Sequence, residues 1–174
     1  MTTIQAHLTK LHYEIGHQWR DISIQQSWPI QSSDGKIDVQ WGHKRAVSDA
    51  LYNNDEFWIS NVTNRTLLNN EIVLDLDPHT NETEEDFQQR IEQTISEVKK
   101  RCYGSHVTAW TTGNRGVHIH IIDDQLAHYT SHQRAAIRRW YCLHFHAEVK
   151  HTDKLPIMME YSKHRKTGKQ KVPL

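Results

Sequence analysis

The stretch Glu71-Ile72-Val73-Leu74-Asp75-Leu76-Asp77-Pro78 decides how the rest of the chain is read. Its apolar run, closed by Pro78, predicts a strand. Residues i and i+2 of a strand point to one face, so Asp75 and Asp77 project together from the strand's end. Two ionised carboxylates side by side repel, and burying such a pair is costly. A divalent cation removes that conflict, and a rigid carboxylate pair suits metal-assisted phosphoryl chemistry. The plain alternative is a strand end with both aspartates in water.

Working outward, Asn81 with Glu84 fits a capping box. Phe87, Ile91, Ile95, Val98 and Cys102 then recur at helical spacing. Acidic residues crowd the start of that helix, Lys99-Lys100-Arg101 end it, and Gly104 can cap it. Val107–Thr111 reads as a second strand, Thr112-Gly113-Asn114-Arg115-Gly116 as a turn, and Val117–Ile122 as a third strand. Ser131 starts another helix, with Ile137, Trp140 and Tyr141 on its apolar side. The order strand–helix–strand–turn–strand–helix predicts an α/β (α+β) layer fold, a mixed sheet with flanking helices. Upstream of Asn70 the signals are sparse. Trp28-Pro29 and Ser32-Ser33-Asp34-Gly35 read as turns, and Phe57-Trp58-Ile59 as a short strand. The whole chain, 1–174, reads as a single domain, with 1–70 an N-terminal part and 71–174 the motif-bearing core.

The turn offers a second chemical element. Glycine permits close backbone approach and positive φ, so the turn's N–H groups and Arg115 can grip phosphate oxygens. His118, at the start of the following strand, can reach the same phosphates. A bare hairpin turn is the commoner use of such a sequence. His118-Ile119-His120 supports a different reading, since two histidines on one strand face can bind a metal. A His-hydrophobic-His strand with a nucleophilic tyrosine marks rolling-circle replication initiators, and Tyr141 and Tyr161 are the candidates here. The lysine usual three residues after that tyrosine is replaced by His144 or His164. His144-Phe145-His146 also invites a metal reading, but with 14 histidines in the chain such pairs arise by chance. Aspartate-nucleophile phosphatases also place Asp-x-Asp after an apolar strand. They carry Thr or Val two residues further on, where this chain has His79.

Composition narrows the class. Lys plus Arg and Asp plus Glu are 21 each, so the chain does not coat nucleic acid by charge alone. The distribution is uneven: Glu71–Glu97 holds nine acidic residues against Arg90, while Ser131–Leu174 holds ten Lys/Arg against three Asp/Glu. An acidic segment that can hold cations is thus followed by a basic one that can hold phosphates. Two cysteines, Cys102 and Cys142, are too few for a disulfide framework or a four-cysteine zinc site. No apolar run reaches membrane-span length, and a reducing intracellular, cytoplasmic setting is expected.

An apolar strand ending in Asp-x-Asp, a helix, a strand, then [Ser/Thr]-Gly-x-x-Gly-x-His resembles the archaeo-eukaryotic primase superfamily. The C-terminal Ser162-Lys163-His164-Arg165-Lys166-Thr167-Gly168, followed by Val172-Pro173, resembles the Ser-x-His-x-Lys-Thr-Gly segment of replicative primase small subunits. Tyr13-Glu14-Ile15-Gly16 echoes a further segment of that family. The resemblance implies a catalytic core built on an RNA-recognition-like sheet. The implied activity is that of a primase or primase-polymerase, a nucleotidyltransferase extending a 3′-hydroxyl at a two-metal site that holds Mg²⁺ or Mn²⁺. Asp75 and Asp77 would bind the metals. Thr112, Gly113, Asn114, Arg115, Gly116 and His118 would meet the incoming nucleotide, joined by Ser162, His164 and Lys166.

The family's third carboxylate falls on His146 in an ungapped alignment. A small shift brings in Glu148, which is the expectation here, with Asp153 second. A basic residue expected six before His164 is Met158, leaving Lys154 or Lys163 as substitutes. The zinc-binding insert of replicative subunits is missing, so no structural zinc is expected. Implied partners are a single-stranded DNA template, a primer strand and NTP or dNTP, with a large primase subunit, helicase or fused helical domain as further candidates. A non-catalytic nucleic-acid-binding module remains the third reading. Its stacking candidates are Trp110 and Trp140, although a buried core place is expected for both.

Overall fold

The computed structural model describes residues 62–149, 156–164 and 166–174, the strands β1 (Ile22–Gln31) and β2 (Ile37–Trp41), and Ala6, Asp55, Glu56 and Ile59. Tyr13–Gly16, Ser32–Gly35, Phe57, Trp58, Asp153 and Lys154 lie outside the described residues. Ile59, expected in a strand, is helical.

β3 (Val62–Thr66) precedes the predicted apolar strand, β4 (Glu71–Leu76), in which every residue is buried. Strand alternation sorts these residues. Ile72, Leu74 and Leu76 enter the main core cluster, whereas Val73 joins a second cluster with Leu67 and Ile157. The main cluster is completed by Phe87, Ile91 and Val98 of helix α1 (Glu84–Arg101), by Ile119 and Ile121, and by Cys142 of helix α2 (Ser131–His144). The helices therefore cover one face of the sheet, and the opposite face of β4 carries Glu71, Val73 and Asp75.

β5 (His106–Thr111) and β6 (Val117–Ile122) form the predicted hairpin, and β6 also pairs antiparallel with β4. The sheet order is β4-β6-β5. β4 and β5 thus run in the same direction with β6 between them, the split β-α-β arrangement. The mixed pairing expected from the element order is replaced by antiparallel neighbours throughout the described residues. The reason is spatial: α1 returns the chain one strand's width from β4, and the hairpin fills the gap. Glu148 bridges Asp75 on the outer side of β4, and Pro173 bridges Trp110 on the outer side of β5. Both sheet edges are thereby partly covered. A second antiparallel sheet has the order β2-β1-β3-β7, where β7 is Pro156–Met158. The class is α+β, with antiparallel sheets and flanking helices.

Several local expectations are corrected. Trp28-Pro29 lies inside β1 rather than in a turn, where the register with β2 shifts between Gln25 and Pro29. Such an irregularity tolerates a proline that has no N–H to donate. The α1 cap is Thr83, whose side chain accepts from Asp86 N, and Asn81 lies outside the helix at φ 70°. Helix α2 is capped by Thr130 and Gln133, which close a reciprocal capping box. Trp140 is 53% exposed, so its expected core place is not taken. Arg138 is fully buried instead, donating to the Glu71 and Leu68 carbonyls at 2.8 and 2.6 Å. These carbonyls sit beside the apolar floor, and a guanidinium satisfies them where a hydrocarbon could not.

The two sheets are tied by a buried ionic cluster. Arg65 of β3 makes two 2.7 Å bonds to the Glu71 carboxylate and two 2.9 Å bonds to Glu160, all three side chains being almost wholly buried. Removing one partner leaves buried charge uncompensated, which typically costs about 3–5 kcal/mol. Arg65→Met should therefore lower the unfolding free energy by about 3–5 kcal/mol, read by equilibrium denaturation. A loss below about 1 kcal/mol would show that the cluster does not hold the sheets together.

Candidate metal centre

Asp75 is the last-but-one residue of β4, and Asp77 follows two residues later on the same face. The bridge across β4 brings Glu148 alongside, with Glu148 N donating to Asp75 O at 2.8 Å. One oxygen from each of the three carboxylates lies within 4.8 Å of the others. Asp75 is buried, whereas Asp77 and Glu148 are exposed and so within reach of solvent ions. Carboxylates that close repel each other, and hard oxygen donors on a rigid strand fit a hard divalent cation. These three residues could hold a metal ion. Among the described residues, His144 and His146 join no such cluster. His144 instead stacks on Trp140, with ring centroids 5.0 Å apart.

The Thr112–Gly116 turn closes over the carboxylates. Thr112 donates to Gly116 O from both its N and its hydroxyl, at 3.0 Å each. Gly116 is required by proximity: a Cβ there would fall 2.5 Å from Asp77 Oδ1 and 3.1 Å from Leu76 O. Gly113 has φ +72°, and a Cβ on it would strike the carbonyl of Lys169. The C-terminal segment forms a small hairpin, with Lys163 bridged to Gln170 and His164 N donating to Lys169 O at 2.8 Å. The Thr167 hydroxyl donates to Gly113 O, seating this hairpin on the turn.

A cleft of about 340 Å³ lies between these parts. Asp75, Asp77, Thr112, Asn114, His118 and His164, all singled out from sequence, line it. Asn64, Ile157 and Met158 also line it. They come from β3 and β7; Met158 stands where the resemblance expects a basic residue, whereas Asn64 and Ile157 carry no motif. Gly113 and Gly116 are buried in the turn, while Arg115 and Lys166 are exposed and do not line the cleft. Ser162 is buried, and its hydroxyl donates to Met159 O at 2.7 Å. Lys163 is also exposed and forms a 3.8 Å ion pair with Glu56.

Behind Asp75 runs a polar network that sequence reasoning did not foresee. Because β4 and β6 pair with Asp75 opposite His118 and Val73 opposite His120, both histidines face the ionic cluster. His118 Nε2 is 3.3 Å from Asp75 Oδ1, and His120 Nδ1 is 2.8 Å from Glu71 Oε1. Lys171 Nζ stands between the rings, 3.0 Å from His118 Nδ1 and 3.3 Å from His120 Nε2. It also donates to Met158 O at 2.8 Å, and with its three N–H groups so used it pairs by charge with Glu160 Oε1 at 3.5 Å. An ammonium thus occupies the position that a His-x-His metal would need. Burial, followed by the charge of Lys171, lowers both histidines, His120 to about 4. Burial lowers Lys171 to about 8 against the pull of Glu160. Burial would raise the Glu71 carboxyl, but Arg65 holds it well below the usual range. Tyr141 and Tyr161 are both raised, chiefly by burial, which makes them weak nucleophiles near neutral pH. Arg65, Glu160 and Lys171 gave no sequence signal, because isolated charged residues read as solvated surface.

No protein-family model matches the chain, and no curated protein matches it. A solved structure does match: the polymerase domain of Mycobacterium tuberculosis ligase D in complex with DNA. The fold is similar to that polymerase domain. The similarity has a TM-score of 0.58 and covers 98% of this chain and 79% of the other, at 12% identity. At that identity it concerns the fold. No helix among the described residues is long and apolar enough to cross a membrane.

Two outcomes follow from the geometry. Gly116→Ala should push the Asp77 carboxylate aside and weaken Mn²⁺ binding by about tenfold in titration calorimetry, as disturbed ligand support typically does. Unchanged affinity would show that Asp77 does not need the glycine's space. Acid should also destabilise the fold. Unfolded His120 binds a proton below about 6.5, but the folded residue does so only below about 4. Stability should therefore fall as pH drops from about 6.5 to about 4, by on the order of a few kcal/mol, and fall further as Glu71 is forced to protonate. Denaturation midpoints measured across that range check this, and a flat profile would refute it.

Proposed function

We propose that this chain is a metal-dependent nucleotidyltransferase of the archaeo-eukaryotic primase kind, a DNA primase or primase-polymerase that adds nucleotides to a 3′-hydroxyl. The observation that carries the reading is that Asp75 and Asp77 share one cleft with Thr112, Asn114 and His164, while a Glu148 oxygen lies within 4.8 Å of both aspartates. The fold similarity to a polymerase domain solved with DNA supports it. So do the Asp-x-Asp, Gly-x-x-Gly-x-His and His-x-Lys-Thr-Gly segments in their order along the chain. We read 1–174 as one catalytic domain.

Asp75, Asp77 and Glu148 would hold Mg²⁺ or Mn²⁺, which supply charge neutralisation at the phosphates and activation of the attacking hydroxyl. The protein's own part is placement. β4 fixes Asp75 and Asp77 on one face, and the bridge to Glu148 sets the third carboxylate without a flexible loop between them. Thr112, Asn114 and His164 present hydrogen-bonding groups to the cleft, where an incoming nucleotide's phosphates would lie. Arg115 and Lys166, exposed beside the cleft, would close on the triphosphate as mobile cations. Ser162 serves the same site indirectly, by bonding the chain turn at Met159 that follows β7. A single-stranded template and primer would approach the open side of the cleft, with NTP or dNTP as the second substrate.

The test is incorporation of labelled nucleotide on primed and unprimed single-stranded templates with Mg²⁺ or Mn²⁺. Asp75→Ala and Asp77→Ala should each reduce incorporation by at least about a hundredfold, as loss of a transition-state charge partner does. Product on the unprimed template identifies a primase. Metal-independent product, or activity retained in both variants, would sink the proposal.

A further inference from the structure

Lys171 is fully buried in a chain whose other lysines with described side chains are exposed. Its place is set by the backbone: Lys171 N donates to Ser162 O at 2.9 Å, and Tyr161 N donates to Lys171 O at 3.0 Å. The hairpin that carries Ser162, His164 and Thr167 therefore also delivers an ammonium group beneath the metal centre. That group meets Met158 O, His118 Nδ1, His120 Nε2 and Glu160 Oε1.

The protons can be counted. An ammonium has donors and no lone pair, so a ring nitrogen 3.0 Å away is bound only if it is an acceptor. A neutral imidazole that accepts at Nδ1 carries its proton on Nε2. In His118 that proton points at Asp75 Oδ1, 3.3 Å away. The opposite tautomer would present a lone pair to a carboxylate on one side and an N–H to an ammonium on the other, unfavourable at both ends. The same logic applies to His120, which accepts from Lys171 at Nε2 and donates from Nδ1 to Glu71. Arg65 and Lys171 then balance Glu71 and Glu160 with both histidines neutral.

We propose that Lys171 is a positioning residue of the metal centre: it locks His118 in the Nε2–H form, and His118 in turn fixes the Asp75 carboxylate for its cation. The inference rests on Asp75 being a metal ligand, as the proposed function has it. Lys171 reaches the cleft lining at His118 Nδ1 and at the Met158 carbonyl, and His118 is its link to Asp75. Groups that orient a metal's ligands typically change affinity by about 10–100-fold when removed.

The first experiment needs no metal and no activity. Long-range ¹H–¹⁵N correlation on the metal-free, ¹⁵N-labelled protein at pH 7 distinguishes the protonated ring nitrogen of each histidine, with His118→Gln assigning the signal. A bare Nδ1 and a protonated Nε2 on His118 are expected, and a proton on Nδ1 would overturn the proposal. The second is Mn²⁺ affinity by electron paramagnetic resonance in the wild type and in Lys171→Met, which keeps the length and loses the donor. About tenfold weaker binding with a changed His118 tautomer is expected. A folded variant with wild-type affinity and tautomer would overturn the inference. If Lys171→Met does not fold, the wild-type tautomer still decides. Wild-type protein that binds no Mn²⁺ would overturn this inference and the metal-centre reading together. Wild-type protein that shows the tautomer and the Mn²⁺ effect but incorporates no nucleotide would leave this inference standing and remove the polymerase reading.

Discussion

The register between β4 and β6 is the constraint on which the rest of this protein depends. Leu74 opposite Ile119 and Ile72 opposite Ile121 put one set of side chains under the helices. The same pairing puts Asp75 opposite His118 and Val73 opposite His120 on the other face. A slip of one residue would exchange the two faces, sending the carboxylates and imidazoles into hydrocarbon. The apolar face therefore enforces the register, and the register builds the chemical face.

That chemical face is unusual in how much charge it buries. Glu71 and Glu160 share Arg65 and Lys171, and two neutral histidines complete the set. Such a cluster is a poor source of net stability, because removing ions from water costs about what their mutual attraction returns. Arg65 comes from β3, Glu71 from β4, Glu160 from the turn after β7, and Lys171 from the C-terminal hairpin. The assembly that brings these four charges together also seats the Gly113 turn against Thr167 and Lys169. The cleft and the buried cluster are two consequences of one assembly, separated by the thickness of the His118 ring.

Glycine has a matching role on the solvent side. Gly116 allows the turn to pass within contact distance of Asp77, and Gly113 allows the C-terminal hairpin to lie against the turn. Bulk is excluded at two points so that carboxylates, turn and hairpin can share one small space. Arg115 on the turn and Lys166 on the hairpin are exposed, whereas Asp75 is held from below by His118.

The sequence by itself determined the elements whose signals are periodic or local. The Asp75–Asp77 pair was legible because strand alternation needs no partner, α1 because Phe87, Ile91 and Val98 recur at helical spacing, and the turn because Gly113 needs positive φ. Local propensity misplaced the α1 cap at Asn81 rather than Thr83, since several capping residues stand in succession. It also gave Trp140 to the core and left Arg138 outside, because hydropathy ignores the Glu71 and Leu68 carbonyls that a buried guanidinium satisfies. Tertiary structure alone decided what lies next to what across long separations. The family resemblance pointed to Glu148 ahead of Asp153, but what sets Glu148 beside Asp75 is a bridge on the outer side of β4. Asn64 and Met158 reach the cleft only because β3 pairs with β7. Arg65, Glu160 and Lys171 look like surface charges until the sheets meet and each finds its opposite. Burial of charge is a property of partners brought together by the fold, and a linear pattern carries no record of them.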